Sequence, residues 1–246
     1  MGIFGKEKEQ IPPHPRKEPR IDLPLTTDNL KTVFGDSADF STREICLHGA
    51  PDKRVTLCYV VGMVRLERAC DYLLRPLAQD EALVKCSLDE AYERMRCGGV
   101  YDLDVKECTA MDQATQSLIK GDCLLLFSPG KGLAFSTATE EKRSVSPPEN
   151  EPAIKGAKDS FVESIRTNTS LVRRRLRAPE LRVREQIVGR QTLTPVDILY
   201  LEGITDPALV EEAQRRIAGI DIDALLMTGA LEEPFIDEAD SAFPLI

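Results

Sequence analysis

Hydrophobic and polar positions follow two rhythms along this chain. Residues 55–64 form an apolar, β-branched run that reads as a strand closing at Gly62. A shorter strand over 43–48 precedes it, with HGAPDKR as the turn between them. Beyond it, Leu66, Cys70, Leu73 or Leu74, and Leu77 recur at helical spacing. A second helix over 88–96 opens on Ser87 as cap, with Glu90 three residues on, and ends at Gly98-Gly99. Residues 100–108 read as a strand, and 111–119 as a helix with Gly121 as its C-cap. Two strands, 123–127 and 133–137, are joined by Ser128-Pro129-Gly130-Lys131-Gly132. The order β-β-α-α-β-α-β-β predicts a mixed sheet with helices packed on it.

Residues 159–177 read as one long helix. Phe161, Ile165, Val172 and Leu176 share one face, and Arg166, Ser170, Arg173 and Arg177 share the other. Asn168 and Arg175 break this division by projecting from the apolar side. Burying an amide or guanidinium there is costly unless a partner satisfies it. Arg175 is therefore expected to be more buried than Arg173, with a carboxylate or carbonyl in reach. A hairpin follows, 181–188 and 195–201, turning around 189–192. Asp206-Pro207 then opens a helix with Asp as cap and Pro in the first turn. Leu209, Ala213, Ile217 and Ile220 are expected to face inward, with Glu211–Arg215 and Glu212–Arg216 paired outside. Tyr59 to Gly62 matches Tyr200 to Gly203, and in each half a glycine turns a strand into a helix.

The organisation expected is α/β (α+β). Residues 1–38 form a charged, proline-rich disordered tail and a short helix capped by Thr26 or Thr27. Two small subdomains, 39–137 and 157–246, each a mixed β-sheet packed with helices, are joined by a linker over 138–156 that lacks apolar periodicity.

Composition narrows the function. The net charge of −9 over 246 residues argues against a general nucleic-acid binder, and the absence of Trp argues against a stacking platform for single strands. Charge is unevenly spread. Residues 155–190 hold ten Lys/Arg against four Asp/Glu, whereas 202–240 hold two arginines against eleven acids. Such segments can pair within a chain or between neighbours. Seven cysteines lie between Cys46 and Cys123 with no C-x-x-C spacing, and only His14 and His48 are present. The pattern points to reduced, core-filling thiols in the cytosol, with no zinc site.

No nucleophile elbow or H-E-x-x-H occurs. The 128–132 loop joins two strands and lacks the phosphate-loop form, so it reads as a hairpin turn. Asp221 and Asp223 read as helix caps before a cation site, and His48 as a solvated turn residue. No catalytic residue, metal or cofactor is expected.

Several stretches resemble the GerA family of spore germination proteins, which includes the A subunits of germinant receptors and the related SpoVAF protein. They are EPAIKGAKDSFVE, NTSLVRRRLRAPEL, GRQTLTPVDILYLEGITDPALVEEAQRRIAGIDID, and LEEPFID with FPLI, spread over residues 151–246. In the first half only YVVGMV and LLRPL carry the likeness. The family's R-G-P-R-E-G-F becomes Lys155 to Phe161 without the proline. Its S-G-Y-[IL]-E-E-F-I-E-D becomes Thr228 to Asp237, with the tyrosine lost and Pro234 inserted before Phe235.

The resemblance implies a soluble cytoplasmic domain at the spore inner membrane, with a helical membrane part expected after Ile246. It implies other germinant receptor subunits as partners, a homo-oligomer in the full-length protein, and signal coupling to a membrane channel. Interface or structural roles are expected at Asn168, Arg173, Arg174, Arg175, Gly203, Glu232 and Glu233. The second reading is a ligand-binding module using the cleft between subdomains.

Overall fold

The computed structural model describes residues 22–98, 104–138, 160–226 and 229–232. The expected tail up to residue 21, most of the expected linker, and Glu233 lie outside these residues; at the described end of that tail Leu25 is buried in the core, which corrects the expectation there.

The central strand β4 (Cys123–Ser128) explains the architecture of the first lobe. Its run CLLLF is buried on both sides, because successive side chains point to opposite faces of a sheet. Cys123, Leu125 and Phe127 enter one core; Leu124 and Leu126 enter a second. Around it, β1 (Phe40–Cys46), β2 (Arg54–Val60), β3 (Val105–Cys108) and β5 (Lys131–Phe135) complete a five-stranded sheet in the order β1-β2-β4-β5-β3. The expected α/β packing is present, and every strand pair is antiparallel. Hairpins join β1 to β2 and β4 to β5, and a hairpin can only pair its strands antiparallel.

Helices cover both faces. On one side lie α2 (Leu66–Arg68) and α3 (Arg75–Gln79), joined by π-helical turns over Ala69–Leu74, then α4 (Ala82–Lys85) and α5 (Leu88–Arg96). The π turns change the expected inward face. Pro76 has no N–H to give the α-helical ladder, and the Arg75 N–H bonds the Cys70 carbonyl five residues back. Ala69, Leu73 and Leu77, four apart, are therefore buried, while Leu66 and Cys70 are exposed. Ser87 and Glu90 form the expected capping box of α5.

On the other side lie α1 (Thr27–Phe34), capped by Thr26, and α6 (Met111–Lys120), closed by Gly121 in the left-handed region. Of the cysteines only Cys58, Cys108 and Cys123 are buried; Cys70 and Cys97 are exposed. The expectation that all would fill the core is corrected, since Cys70 faces outward on the π turns and Cys97 lies just past the end of α5.

The second lobe is smaller. Strands β6 (Leu181–Val188) and β7 (Thr194–Leu201) pair in full register as a two-stranded antiparallel hairpin. Helix α7 (Ile165–Arg175) precedes them, and α8 (Pro207–Ala218) follows, capped by Asp206. A short helix, α9 (Gly229–Glu232), comes last. The inward stripe of α8 is Val210 and Ile217, while Leu209 is 64% exposed. Both Arg215 and Arg216 pair with Glu212, so the expected Glu211–Arg215 pair is replaced by an i,i+3 contact. Among the described residues no helix is long and apolar enough to cross a membrane.

Candidate functional site

A bare two-stranded hairpin is marginal in water, so the second lobe gains its order from what it leans on. The seam between lobes is made by the segment ahead of β1. Ala38 N–H donates to the Val183 carbonyl at 2.8 Å, and Val183 N–H donates to Ser37 Oγ at 2.9 Å. On its other side the same segment holds the end of β2, where Val61 N–H donates to the Asp39 carbonyl at 2.7 Å. Residues 37–39 thus lie between the edge of β6 and the first sheet.

Arg173 locks this arrangement from α7. Its Nε donates to Asp39 Oδ2 at 2.5 Å. Its Nη2 donates to Asp39 Oδ1 at 2.8 Å, Ser37 Oγ at 3.1 Å and the Leu181 carbonyl at 3.0 Å. Ser37 Oγ in turn donates to Asp39 Oδ1 at 2.7 Å. Both charged side chains are 1% exposed. A buried charge survives only when paired and hydrogen-bonded, and here the fork of the guanidinium meets both oxygens of one carboxylate. Arg173 Nη1 has no partner among the described residues.

Two more arginines clasp the same segment. Arg182, on β6, donates from Nη2 to the Val33 carbonyl at 2.9 Å and from Nη1 to the Pro179 carbonyl at 2.6 Å, and it ion-pairs with Glu202. Arg184 donates to the Asp36 carbonyl at 3.1 Å and to Tyr200 Oη at 3.3 Å. The basic segment seen in the sequence is therefore spent largely on carbonyls and acids within the chain.

The structure reverses the expected orientation of α7. The buried residues are Thr169, Ser170, Leu171 and Arg173, while Arg175 is exposed. The expectation that Arg175 is the more buried arginine is corrected. Two physical causes act together. The helix begins at Ile165, not at residue 159, so Phe161 lies outside it and is 70% exposed. The inward face is built for close approach. A Cβ on Gly62 would sit 2.9 Å from the Arg166 carbonyl and 3.4 Å from Ser170 Cβ. Small polar residues let backbones meet where leucines would hold them apart, and Arg173 follows Ser170 on that face.

Asn168 acts locally. Its amide donates to the Val162 carbonyl at 2.7 Å and its oxygen accepts from the Val162 N–H at 2.8 Å, tying down the chain that enters α7. One turn inward, Arg166 pairs with Glu185 and with Asp197 Oδ2 at 3.4 Å, and Thr169 Oγ1 donates to Asp197 Oδ2 at 3.0 Å. Burial pushes the Asp197 carboxyl up from the ordinary carboxylate range, while Thr169 and Arg166 pull it back.

The remaining expected residues are dispersed. Arg174 lines a small interlobe pocket, and Glu232 is exposed on α9. Gly203 has φ +80, matching the +82 of Gly62, so both glycines turn a strand end in the left-handed region. Gly203 also lines a pocket of about 580 Å³ with Arg184, Tyr200, Glu202, Ile204 and Val210. That pocket belongs to the second lobe, at the foot of α8, and not to a cleft between lobes. Asp39, Ser37 and Arg182 escaped the sequence reading. A lone acid before a strand carries no local pattern, and Ser37 and Asp39 lie more than a hundred residues from Arg173 in the chain.

Asp221 pairs with Arg190 at 2.6 Å, and no group of three or more potential metal ligands occurs among the described residues.

A model of the family described as Bacillus/Clostridium GerA spore germination protein matches residues 28–246. Spore germination protein KA of Bacillus subtilis (strain 168) is 29% identical over 236 residues, covering 93% of this chain and 42% of that protein. Stage V sporulation protein AF of the same organism is 32% identical over 220 residues, covering 87% and 42%. This chain thus spans less than half the length of these curated relatives. Among solved structures, it is similar to the N-terminal domain of the A subunit of the Bacillus megaterium spore germinant receptor GerK3. The TM-score is 0.61 and the identity 26%, over 88% of this chain and 78% of that one. With its family match running through both lobes and the seam between them, the chain belongs to the GerA family of spore germination proteins.

Proposed function

We propose that this chain is the N-terminal, cytoplasmic domain of an A-type germinant receptor subunit at the spore inner membrane. In this reading it holds receptor subunits together and couples nutrient state to a membrane channel attached beyond it. The observation that carries the reading is the buried Arg173–Asp39 pair, which ties the lobes into one mechanical unit. A relay needs a stiff joint, and a desolvated bidentate ion pair backed by Ser37 is stiff. No bond chemistry is assigned to the domain; spore germination protein KA and the GerK3 germinant receptor subunit, to which it is similar, are named for germination. The test is Asp39→Ala in the full-length protein in spores. Receptor abundance and nutrient-triggered germination should fall together, and unchanged germination at normal abundance would refute the reading.

A second reading, ligand binding, is favoured by the 580 Å³ pocket. Its walls include Arg184 and Glu202, whose other contacts reach the interlobe seam. A ligand seated there would act on the joint directly. Thermal-shift screening with amino acids, sugars and nucleotides tests it, and the absence of any shift would leave the scaffolding role alone.

A further inference from the structure

The pocket of about 580 Å³ at the foot of α8 is rich in acceptors and poor in donors. Among the described residues that line it, Arg184 is the one cation, against the carboxylates of Glu202, Asp206 and Glu211. Arg184 is already engaged. Its Nε donates to Tyr200 Oη, and its Nη1 donates to the Asp36 carbonyl and lies 3.6 Å from the Asp36 carboxylate. The start of α8 offers an anion little. Pro207 has no N–H. The Ala208 N–H is bonded to an Asp206 carboxylate oxygen at 2.9 Å, and the N–H groups of Leu209 and Val210 go to the Asp206 carbonyl. About half a positive charge gathers at such a terminus, and the Asp206 carboxylate outweighs it. Two acceptors stay open. Arg215, the i+4 neighbour of Glu211, pairs with Glu212 instead, so among the described residues the Glu211 carboxylate has no hydrogen bond or ion pair. Glu202 meets Arg182 through Oε2, and its Oε1 takes no hydrogen bond among the described residues. Ile204, Pro207 and Val210 give the same lining a hydrocarbon wall.

We propose that this pocket takes a small organic cation, an amine or guanidine with a short hydrocarbon body and no carboxylate. The proposal rests on the ligand-binding reading of the same pocket and names its ligand class. The N–H groups of the cation supply the charge-assisted bonds that Glu211 and Glu202 Oε1 lack, while the hydrocarbon body covers the apolar wall. A carboxylate on the ligand would meet three like charges with no free donor to receive it, so acids are rejected and zwitterions are weakened. A cation at Glu202 also competes with Arg182, which holds the Val33 and Pro179 carbonyls. Occupancy is therefore felt at the interlobe seam.

Isothermal titration of the full chain tests it with four probes of one carbon count: 1,4-diaminobutane, 4-aminobutyrate, 1,4-butanediol and succinate, all at ionic strength matched with sodium chloride. The diamine should bind in the low millimolar range, the aminobutyrate about tenfold more weakly, and the diol and succinate not at all. Glu211→Gln should weaken the diamine about tenfold, the loss of one charge-assisted hydrogen bond. Ile204→Ala, at a half-exposed site on the wall, marks the pocket and should also weaken it. Diamine binding equal in both variants and the parent would be attraction to the acidic surface alone and would overturn the proposal. Binding of succinate or the diol that weakens in Ile204→Ala would overturn the cationic class while leaving the pocket a ligand site. No heat from any of the four would overturn the proposal, and the wider thermal-shift screen then decides the ligand-binding reading separately.

Discussion

Removing the carboxylate of Asp39 isolates the contribution of the joint. In Asp39→Ala, Arg173 keeps Ser37 Oγ and the Leu181 carbonyl on Nη2, but Nε loses its acceptor and the charge loses its counter-ion, all at 1% exposure. Breaking a buried pair by deleting one partner costs about 3–5 kcal/mol, a large part of the roughly 5–15 kcal/mol that holds a domain folded. Arg173→Met leaves the opposite defect, an unpaired buried carboxylate, at a similar cost. The double variant removes both charges and should recover most of the loss, because an apolar replacement of a buried pair is often near neutral.

The assay is urea unfolding followed by far-UV circular dichroism, since the chain has no Trp. With a slope of about 3 kcal/mol per molar urea, Asp39→Ala should lower the midpoint by about 1–1.7 M. Arg175→Ala, at an exposed site, should cost no more than the ~1 kcal/mol typical of surface ion pairs. Two outcomes would refute the reasoning. One is an Asp39→Ala midpoint indistinguishable from that of Arg175→Ala. The other is a double variant whose loss equals the sum of the singles, since groups in direct contact must couple.

Further expectations follow from the same geometry. Gly62→Ala puts a Cβ 2.9 Å from the Arg166 carbonyl at φ +82, so it should destabilise by about 2 kcal/mol and raise hydrogen exchange selectively in α7. Asp197 has a folded pKa raised by burial, so the native state binds its proton more tightly than the unfolded chain does. Its contribution is fully present below the unfolded value and is lost as pH rises through the folded one; Asp197→Asn should flatten that fall above about pH 4 in a stability profile. Glu212 is the opposite case: hydrogen bonds from Arg215 and Arg216 hold it at about 2. Its contribution is present above the ordinary glutamate value and disappears as pH falls through about 2, so Glu212→Gln should remove that acid limb. Burial pushes the Cys58 thiol up to about 12, whereas Cys70 and Cys97 are exposed; iodoacetamide with mass-spectrometric mapping should label the latter two first and Cys58 only on unfolding.

Elements governed by local rules were legible in the sequence. The CLLLF strand, the Ser87–Glu90 capping box, the Gly121 C-cap and the Asp206-Pro207 helix start all stand where near-neighbour chemistry places them. Errors arose where a helix face had to be chosen. On α8 the expected Ile217 is buried, yet the burying surface is the one the hairpin offers, and that selects Val210 in place of Leu209. On α2 and α3 the π turns shifted the phase that a uniform 3.6-residue period assumes.

The face of α7 was inverted for a more general reason. Hydrophobic periodicity finds the side of a helix that avoids water. It does not find the side that packs when the partner surface is itself polar backbone. Here the partner is the turn at Gly62 and residues 37–39, whose carbonyls, hydroxyl and carboxylate need donors more than they need methyl groups. Arg173 supplies those donors, and Thr169 and Ser170 supply the closeness. A buried pair of this kind is weak evidence of added stability, because desolvation offsets most of its Coulomb attraction. Its consequence is geometric. A sliding hydrophobic seam would tolerate several relative placements of the lobes, whereas two carboxylate oxygens, one hydroxyl and one carbonyl around a single guanidinium tolerate one. The predicted coupling in the Asp39–Arg173 cycle therefore measures how sharply the lobe arrangement is specified, which is the property that transmission through this domain would require.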